Sequence, residues 1–205
     1  MTRGEKFKNW LHYNWYWLVI GAVLLSIGAS ILWNALGIGR VKPDYVFAYI
    51  GHEAISDDEA DAFREAVASL GRDVNGDGKV VVELKQYTQS RTEDIEMMLY
   101  YGYAADTQLI ADITKGDSYF FLVEEPDEVQ RSFQIFADAD GNAPDEYDHS
   151  TEDKVFLLKT CSRLSSLLTD DSAIQKLWIG RRYYLNEKGG HEADAELWKL
   201  ITEGN

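Results

Sequence analysis

Basic residues are scarce in this chain: 20 Lys and Arg stand against 35 Asp and Glu, leaving a formal charge of −15. The shortage is uneven. Residues 1–42 hold five cations against the single acid Glu5, so the rest of the chain holds fifteen against thirty-four. A body this acidic is repelled by nucleic acid and by anionic lipid headgroups, which disfavours both as its partners. Cysteine is nearly missing as well. Cys161 stands alone, so no intramolecular disulfide framework exists. With no neighbouring His to activate it, Cys161 reads as a small buried hydrophobe or, alternatively, as a reactive or intermolecular thiol. Glycine and proline, at 16 and 3, are not enriched, and aromatics reach 13%, so the composition is not that of a disordered chain.

Catalytic signatures are also lacking. His12, His52, His149 and His191 lie far apart, with no His-Glu-x-x-His pair. There is no Gly-x-Ser-x-Gly elbow, no phosphate-cradling Gly-x-x-x-x-Gly-Lys and no Gly-x-Gly-x-x-Gly after a strand. Carboxylate pairs abound among so many acids, and spacing singles none of them out. No enzyme is expected on these grounds.

What is present begins at the N-terminus. Residues 15–36 run 22 positions without a formal charge. At about 1.5 Å per residue such a helix covers the roughly 30 Å hydrocarbon core with slight tilt. Trp10, Tyr13, Trp15, Tyr16 and Trp17 crowd one end and Trp33 marks the other, the aromatic anchors of a membrane interface. The run exceeds a signal-peptide core, no Ala-x-Ala site follows, and no lipobox cysteine is available, so an uncleaved signal anchor is expected. Arg3, Lys6 and Lys8 precede it, while Arg40 and Lys42 follow. That bias and the acidic body point to residues 1–14 as a cytoplasmic tail and residues 44–205 as an extracytoplasmic domain, joined by a linker at 37–43. Ala22, Ser26, Ser30 and Asn34 recur every fourth residue, a small-residue stripe through which two helices could associate in the bilayer.

After the linker the pattern is α/β. Asp44–Ile50 is a near-continuous apolar run, read as a buried strand. Ser56-Asp57-Asp58-Glu59 is a capping box, Ala60, Phe63, Val67 and Leu70 share one helical face, and Gly71 stops the helix. Residues 80–84 read as a second strand, 92–103 and 106–115 as two helices, and 119–123 as a third strand, with Pro126 in the first turn of another helix. A polar loop at 137–153, a strand at 176–184 and a C-terminal helix around Leu197, Leu200 and Ile201 complete the chain. Strands alternating with helices at this spacing imply right-handed βαβ units and a small, mainly parallel sheet with flanking helices.

The aromatic-flanked anchor, Asp44–Ile50, the Gly71–Val82 turn, Ala105–Phe121 with its Lys115-Gly116-Asp117 break, and Leu177–Tyr183 carry a resemblance. Together they resemble small single-pass, membrane-anchored proteins of Gram-positive, Firmicutes-type bacteria. The outer domain of those proteins is similar to one lobe of a type 2 extracellular solute-binding protein. The resemblance implies a single binding-type lobe, since a two-lobed clamp needs a much longer chain.

Three groups of polar residues stand out. Asp73-Val74-Asn75-Gly76-Asp77-Gly78-Lys79-Val80 matches the opening of an EF-hand loop, with oxygen ligands Asp73, Asn75 and Asp77. It then fails, because Leu84 stands where a bidentate Glu is needed and Glu83 comes one residue early. It is a Ca²⁺ site or a helix-to-strand turn. Asp138, Asp140, Asn142, Asp145, Glu146 and Asp148 form a second oxygen-rich stretch with no closed spacing. Arg181 and Arg182, on a strand, need a structural ion pair or an anionic ligand.

Three functions are open. A non-catalytic module would bind an unknown protein or envelope partner through an exposed apolar patch. A small-ligand sensor or transporter accessory would carry a cleft at the carboxyl ends of the parallel strands, near Arg181 or Tyr87. An enzyme would need His, Asp or Glu to converge in that cleft.

Overall fold

The computed structural model describes residues 3–35, 42–88, 95–145, 148–184 and 191–203. The chain forms two compact units, Met1–Val41 and Lys42–Asn205.

The first unit is one helix, α1 (Arg3–Ala35). Within it the 22 residues His12–Trp33 are long and apolar enough to cross a membrane. Trp17, Leu18, Val19 and Ile20 point in four successive directions around the axis, and each is at least 45% exposed. A soluble amphipathic helix would bury one stripe of these; α1 buries none. Ala22, Ser26 and Ser30 share a face, and Ser26 turns its hydroxyl back to the Val23 carbonyl at 2.8 Å. Asn34 lies one turn on, with its side chain outside the described residues, as are Leu36 and the linker residues 37–41.

The second unit is an α/β domain. Its first strand, β1 (Tyr45–Gly51), leads through the Ser56 cap into α2 (Asp57–Leu70) and then to β2 (Val82–Thr88). The Ser56 hydroxyl accepts the Glu59 N–H, the N-cap expected from the sequence, and donates to the Glu59 carboxylate, which therefore takes the hydroxyl rather than the Ser56 N–H of a full capping box. Gly71 ends α2 in extended backbone, and a Cβ there would stand 2.6 Å from the Tyr45 ring. The glycine therefore serves close packing, not a left-handed turn.

Next comes α3 (Ile95–Lys115), one continuous helix where the sequence suggested two. The expected break fell at Ala104-Ala105, but alanine is the best helix former and nothing there interrupts the ladder. Residues 92–94 of the expected helix lie outside the described residues. The chain continues through β3 (Phe120–Val123), α4 (Pro126–Phe133), β4 (Val155–Leu157), the short α5 (Ser162–Ser165), β5 (Trp178–Arg181) and α6 (His191–Thr202).

The sheet order is β2-β1-β3-β5-β4. β1 pairs in parallel with β2 and β3, while β5 is antiparallel to both β3 and β4. The sheet is thus mostly but not purely parallel, with β5 alone reversed. One face packs Tyr45, Phe47, Tyr49, Phe120, Leu122 and Ile179 against Phe63 of α2 and Leu197 and Trp198 of α6. The other packs Ala48, Ile50, Phe121 and Val123 against Leu109 of α3 and Val129 of α4. The crossovers β1–α2–β2 and β2–α3–β3 therefore run on opposite faces of the sheet, which makes the crevice between β1 and β3 the point where strand order reverses.

Candidate functional site

Ligands of open α/β sheets bind outside the carboxyl ends of the strands at such a switch point. A cleft of about 210 Å³ occupies that position here. Ile50, Gly51 and His52 come from the end of β1, Glu124 and Glu125 from the end of β3, Asp106 and Ile110 from α3, and Glu128, Val129, Ser132 and Phe133 from α4. The floor is apolar, with Ile50 and Val129 buried, and Ile110 presents a side chain 52% exposed. Four carboxylates and one imidazole ring the opening, and the described lining residues include no Lys or Arg.

A hydrogen-bonded brace holds the two strand ends. Glu124 Oε1 accepts the Tyr49 hydroxyl at 2.6 Å, and Oε2 accepts the His52 N–H at 3.1 Å. His52 Nε2 lies 3.1 Å from Glu125 Oε1 and 3.9 Å from Glu124 Oε2. Burial, and then the Glu124 charge, push the Tyr49 hydroxyl well above its ordinary pKa, so it stays a donor. Gly51 makes this contact feasible, since a Cβ would stand 2.1 Å from the Tyr49 oxygen and 2.7 Å from Glu124 Oε1. Behind the brace, Gln86 clamps the backbone of Ile55, accepting its N–H at 2.8 Å and donating to its carbonyl at 3.3 Å. A second hollow on the other side of Glu124 is lined by Tyr49, Glu53, Glu59, Ala173 and Lys176 among others.

Sequence reasoning expected a cleft at these strand ends but placed it near Arg181 or Tyr87. Tyr87 pairs with Ile50 at the correct end, yet its hydroxyl turns to Asp112 at 2.5 Å and does not line the cleft. Arg181 lies at the opposite end. Because β5 is antiparallel, its last residue pairs with Phe120 at the start of β3. None of His52, Glu124, Glu125 or Asp106 was singled out in advance. The faint signal available was that both β1 and β3 end in polar residues directly after buried runs.

Of the two readings of the arginines, a structural ion pair or an anionic ligand, the described residues show no ion pair at either one. Arg181 donates to the Ala139 carbonyl at 2.7 Å and the Asp138 carbonyl at 3.4 Å, and its guanidinium stands 5.4 Å from the centroid of the Trp198 ring. The Asp138 carboxylate is occupied by the Asn142 N–H at 2.7 Å and the Asn142 side chain at 3.1 Å. Arg182 is 4% exposed, and its Nε and Nη1 find no hydrogen-bond partner among the described residues. Burial lowers its pKa, while the Tyr183 and Asp112 charges pull the other way.

The Asp73 loop folds as a turn. Asp73 accepts the N–H groups of Gly76 at 2.6 Å and Gly78 at 2.7 Å, and both glycines take positive φ. Those N–H bonds, Gly78 first, hold the Asp73 carboxyl below its usual range. Asn75 and Asp77 cap the N–H groups two residues on, in Asx turns. Asp44 ties the loop down by accepting from Val74, Asn75 and Val81. In the second oxygen-rich stretch Asp148 pairs with Lys154 at 2.5 Å, and Glu146 lies outside the described residues. Among the described residues no three His, Cys, Asp or Glu side chains converge as metal ligands would.

Comparison with family models, with curated proteins and with solved structures finds no match to this chain.

Proposed function

We propose that the protein is a membrane-anchored, non-catalytic binding module that holds a small ligand in the cleft between the carboxyl ends of β1 and β3. The observation that carries this reading is the coincidence of cavity and topology: the cleft lies at the strand-order reversal of the sheet. Binding is favoured over turnover because Glu124 and Tyr49 are spent on bracing the strand ends. Docking of a large protein or envelope partner has less support. Among the described residues of the α/β unit, the exposed large apolar side chains are Val74, Ile110 and Leu167, which sit on three separate segments and form no patch.

The module is placed outside the cytoplasm, with α1 crossing the membrane N-terminus inward. The support is the cationic N-terminal tail and the acidic body. External protease on intact cells should remove the α/β unit, and its protection would overturn the orientation. The binding reading is tested by thermal shift of the full chain in micelles against a panel of cationic, neutral and anionic metabolites. A stabilising compound should lose its effect in Ser132→Trp, which fills the cleft. Indifference to that substitution would sink the reading.

A further inference from the structure

The two edges of the sheet differ. β4 ends one side with three residues, whereas β2 ends the other with seven, Val82–Thr88. A strand of that length with an open side is a template for another strand unless something blunts it. β2 carries no proline or glycine, and it follows β1 residue for residue from Tyr45 to Gly51, without a bulge. Its lysine would ordinarily guard the edge. Here Lys85 is drawn over its own sheet face, 3.1 Å from Asp112 Oδ2 and 3.8 Å from Asp117 Oδ2.

The direction of the backbone groups follows from the ladder. The Tyr45 N–H donates to the Val81 carbonyl, and along a strand alternate residues face the same neighbour. Glu83, Lys85 and Tyr87 therefore turn their N–H and C=O groups toward β1. Those of Val82, Leu84, Gln86 and Thr88 point out of the sheet, where an added strand would satisfy them.

Side chains select which strand fits. Glu83 is exposed and shares a sheet face with Lys85, two residues on. Consider an antiparallel copy of the same strand, related by a two-fold axis at Leu84. It sets Glu83 opposite Lys85 of the second copy, and Lys85 opposite the other Glu83. It also sets Leu84 against Leu84 and Val82 against Gln86, all residues whose backbone groups point outward, so each of these pairs exchanges two hydrogen bonds. Moving the axis to Glu83 or to Lys85 would put like charges face to face.

We propose that β2 is a dimerisation edge, through which two copies of this chain join antiparallel about a two-fold axis at Leu84 and merge their five-stranded sheets into one. The contact uses backbone groups and a repeated charge pair, so it requires no exposed apolar patch. It is independent of the ligand cleft, which lies at the junction of β1 and β3.

The full chain in detergent micelles is followed by sedimentation equilibrium and by amide hydrogen exchange over a range of protein concentrations. As the dimer forms, the Val82, Leu84 and Gln86 amides should pass from fast to slow exchange. Those of Glu83, Lys85 and Tyr87, bonded to β1, should be slow throughout. Val82→Pro removes an outward N–H at the first residue of the strand, a position that tolerates proline. Glu83→Lys changes an exposed side chain. Each should weaken the dimer by about tenfold, with slow exchange at Lys85 and Tyr87 showing that the sheet is intact. Glu83→Lys also makes each copy less acidic, so relief of general repulsion alone would tighten the dimer instead. A chain that stays monomeric overturns the proposal. A dimer whose Val82, Leu84 and Gln86 amides still exchange fast overturns it too, because the contact then lies elsewhere. If either variant dimerises as well as the unsubstituted chain, pairing about Leu84 is wrong and the proposal falls.

Discussion

The Tyr49 hydroxyl meets the Glu124 carboxylate at 2.6 Å, joining the end of β1 to the residue after β3 across 75 positions of chain. The contact is short and charge-assisted, and its Glu124 end lines the cleft. Tyr49→Phe removes the donor and leaves Glu124 partly buried with only the His52 N–H on its carboxylate. We expect a loss of about 1–2 kcal/mol, read by urea denaturation of the full chain. An unchanged midpoint would mean that water replaces the phenol without cost.

Asp112 is 3% exposed and accepts from Lys85 Nζ at 3.1 Å, the Tyr87 hydroxyl at 2.5 Å and the Ser118 N–H and hydroxyl at 2.8 and 2.7 Å. Burial by itself would raise its pKa. The Tyr87, Ser118 and Lys85 hydrogen bonds outweigh burial and hold the carboxyl below the usual range. With the folded value below the unfolded one, its stabilisation is complete above about pH 4 and is lost as pH falls through the folded value. Thermal midpoints taken from neutral pH downward should drop more shallowly in Asp112→Asn, which should also cost about 2–3 kcal/mol at neutral pH. Parallel acid profiles would remove Asp112 from the account.

Gly180 sits between β3 and β4 where a Cβ would stand 2.5 Å from the Phe136 ring and 2.9 Å from a Val155 methyl. Gly180→Ala should destabilise by about 1–3 kcal/mol through overpacking. Adding Phe136→Leu should recover part of that loss. Strict additivity in the double variant would show that the ring is not what the new methyl strikes.

The Asp73 turn is closed by its own carboxylate and two positive-φ glycines. Asp73→Ala should lower the thermal midpoint, whereas excess EGTA should leave that of the unsubstituted chain unchanged. A fall with EGTA, reversed by Ca²⁺, would establish the loop as a cation site.

How much of this was legible in the sequence differs from element to element. The Ser56 cap, the buried run at β1 and the apolar segment at β3 are local signals, and each became the element it suggested. The second strand was placed at residues 80–84, but it begins at Val82 and extends to Thr88, because pairing with the whole of β1 carries it past its apolar part. The direction of β5, a four-residue strand within the expected 176–184, leaves no trace in its sequence, so Arg181 was assigned to the wrong end of the sheet. The three-residue β4 is too short to carry a period at all. The cleft was invisible for a different reason. His52 and Glu124 are 72 positions apart, and among 35 acids nothing in their spacing distinguishes them.

The reversed strand also bears on how the domain assembles. β1, β2 and β3 are the first three strands of the chain and pair in parallel through β1, whereas β5 comes from the last third of the chain to pair with β3. Synthesis proceeds from the N-terminus, so all three parallel strands, and both strand ends that wall the cleft, are made before β5 exists. Until it arrives, the free edge of β3 offers unpaired backbone groups to any passing strand. The order of manufacture thus gives the nascent chain its binding end first and its protected edge last.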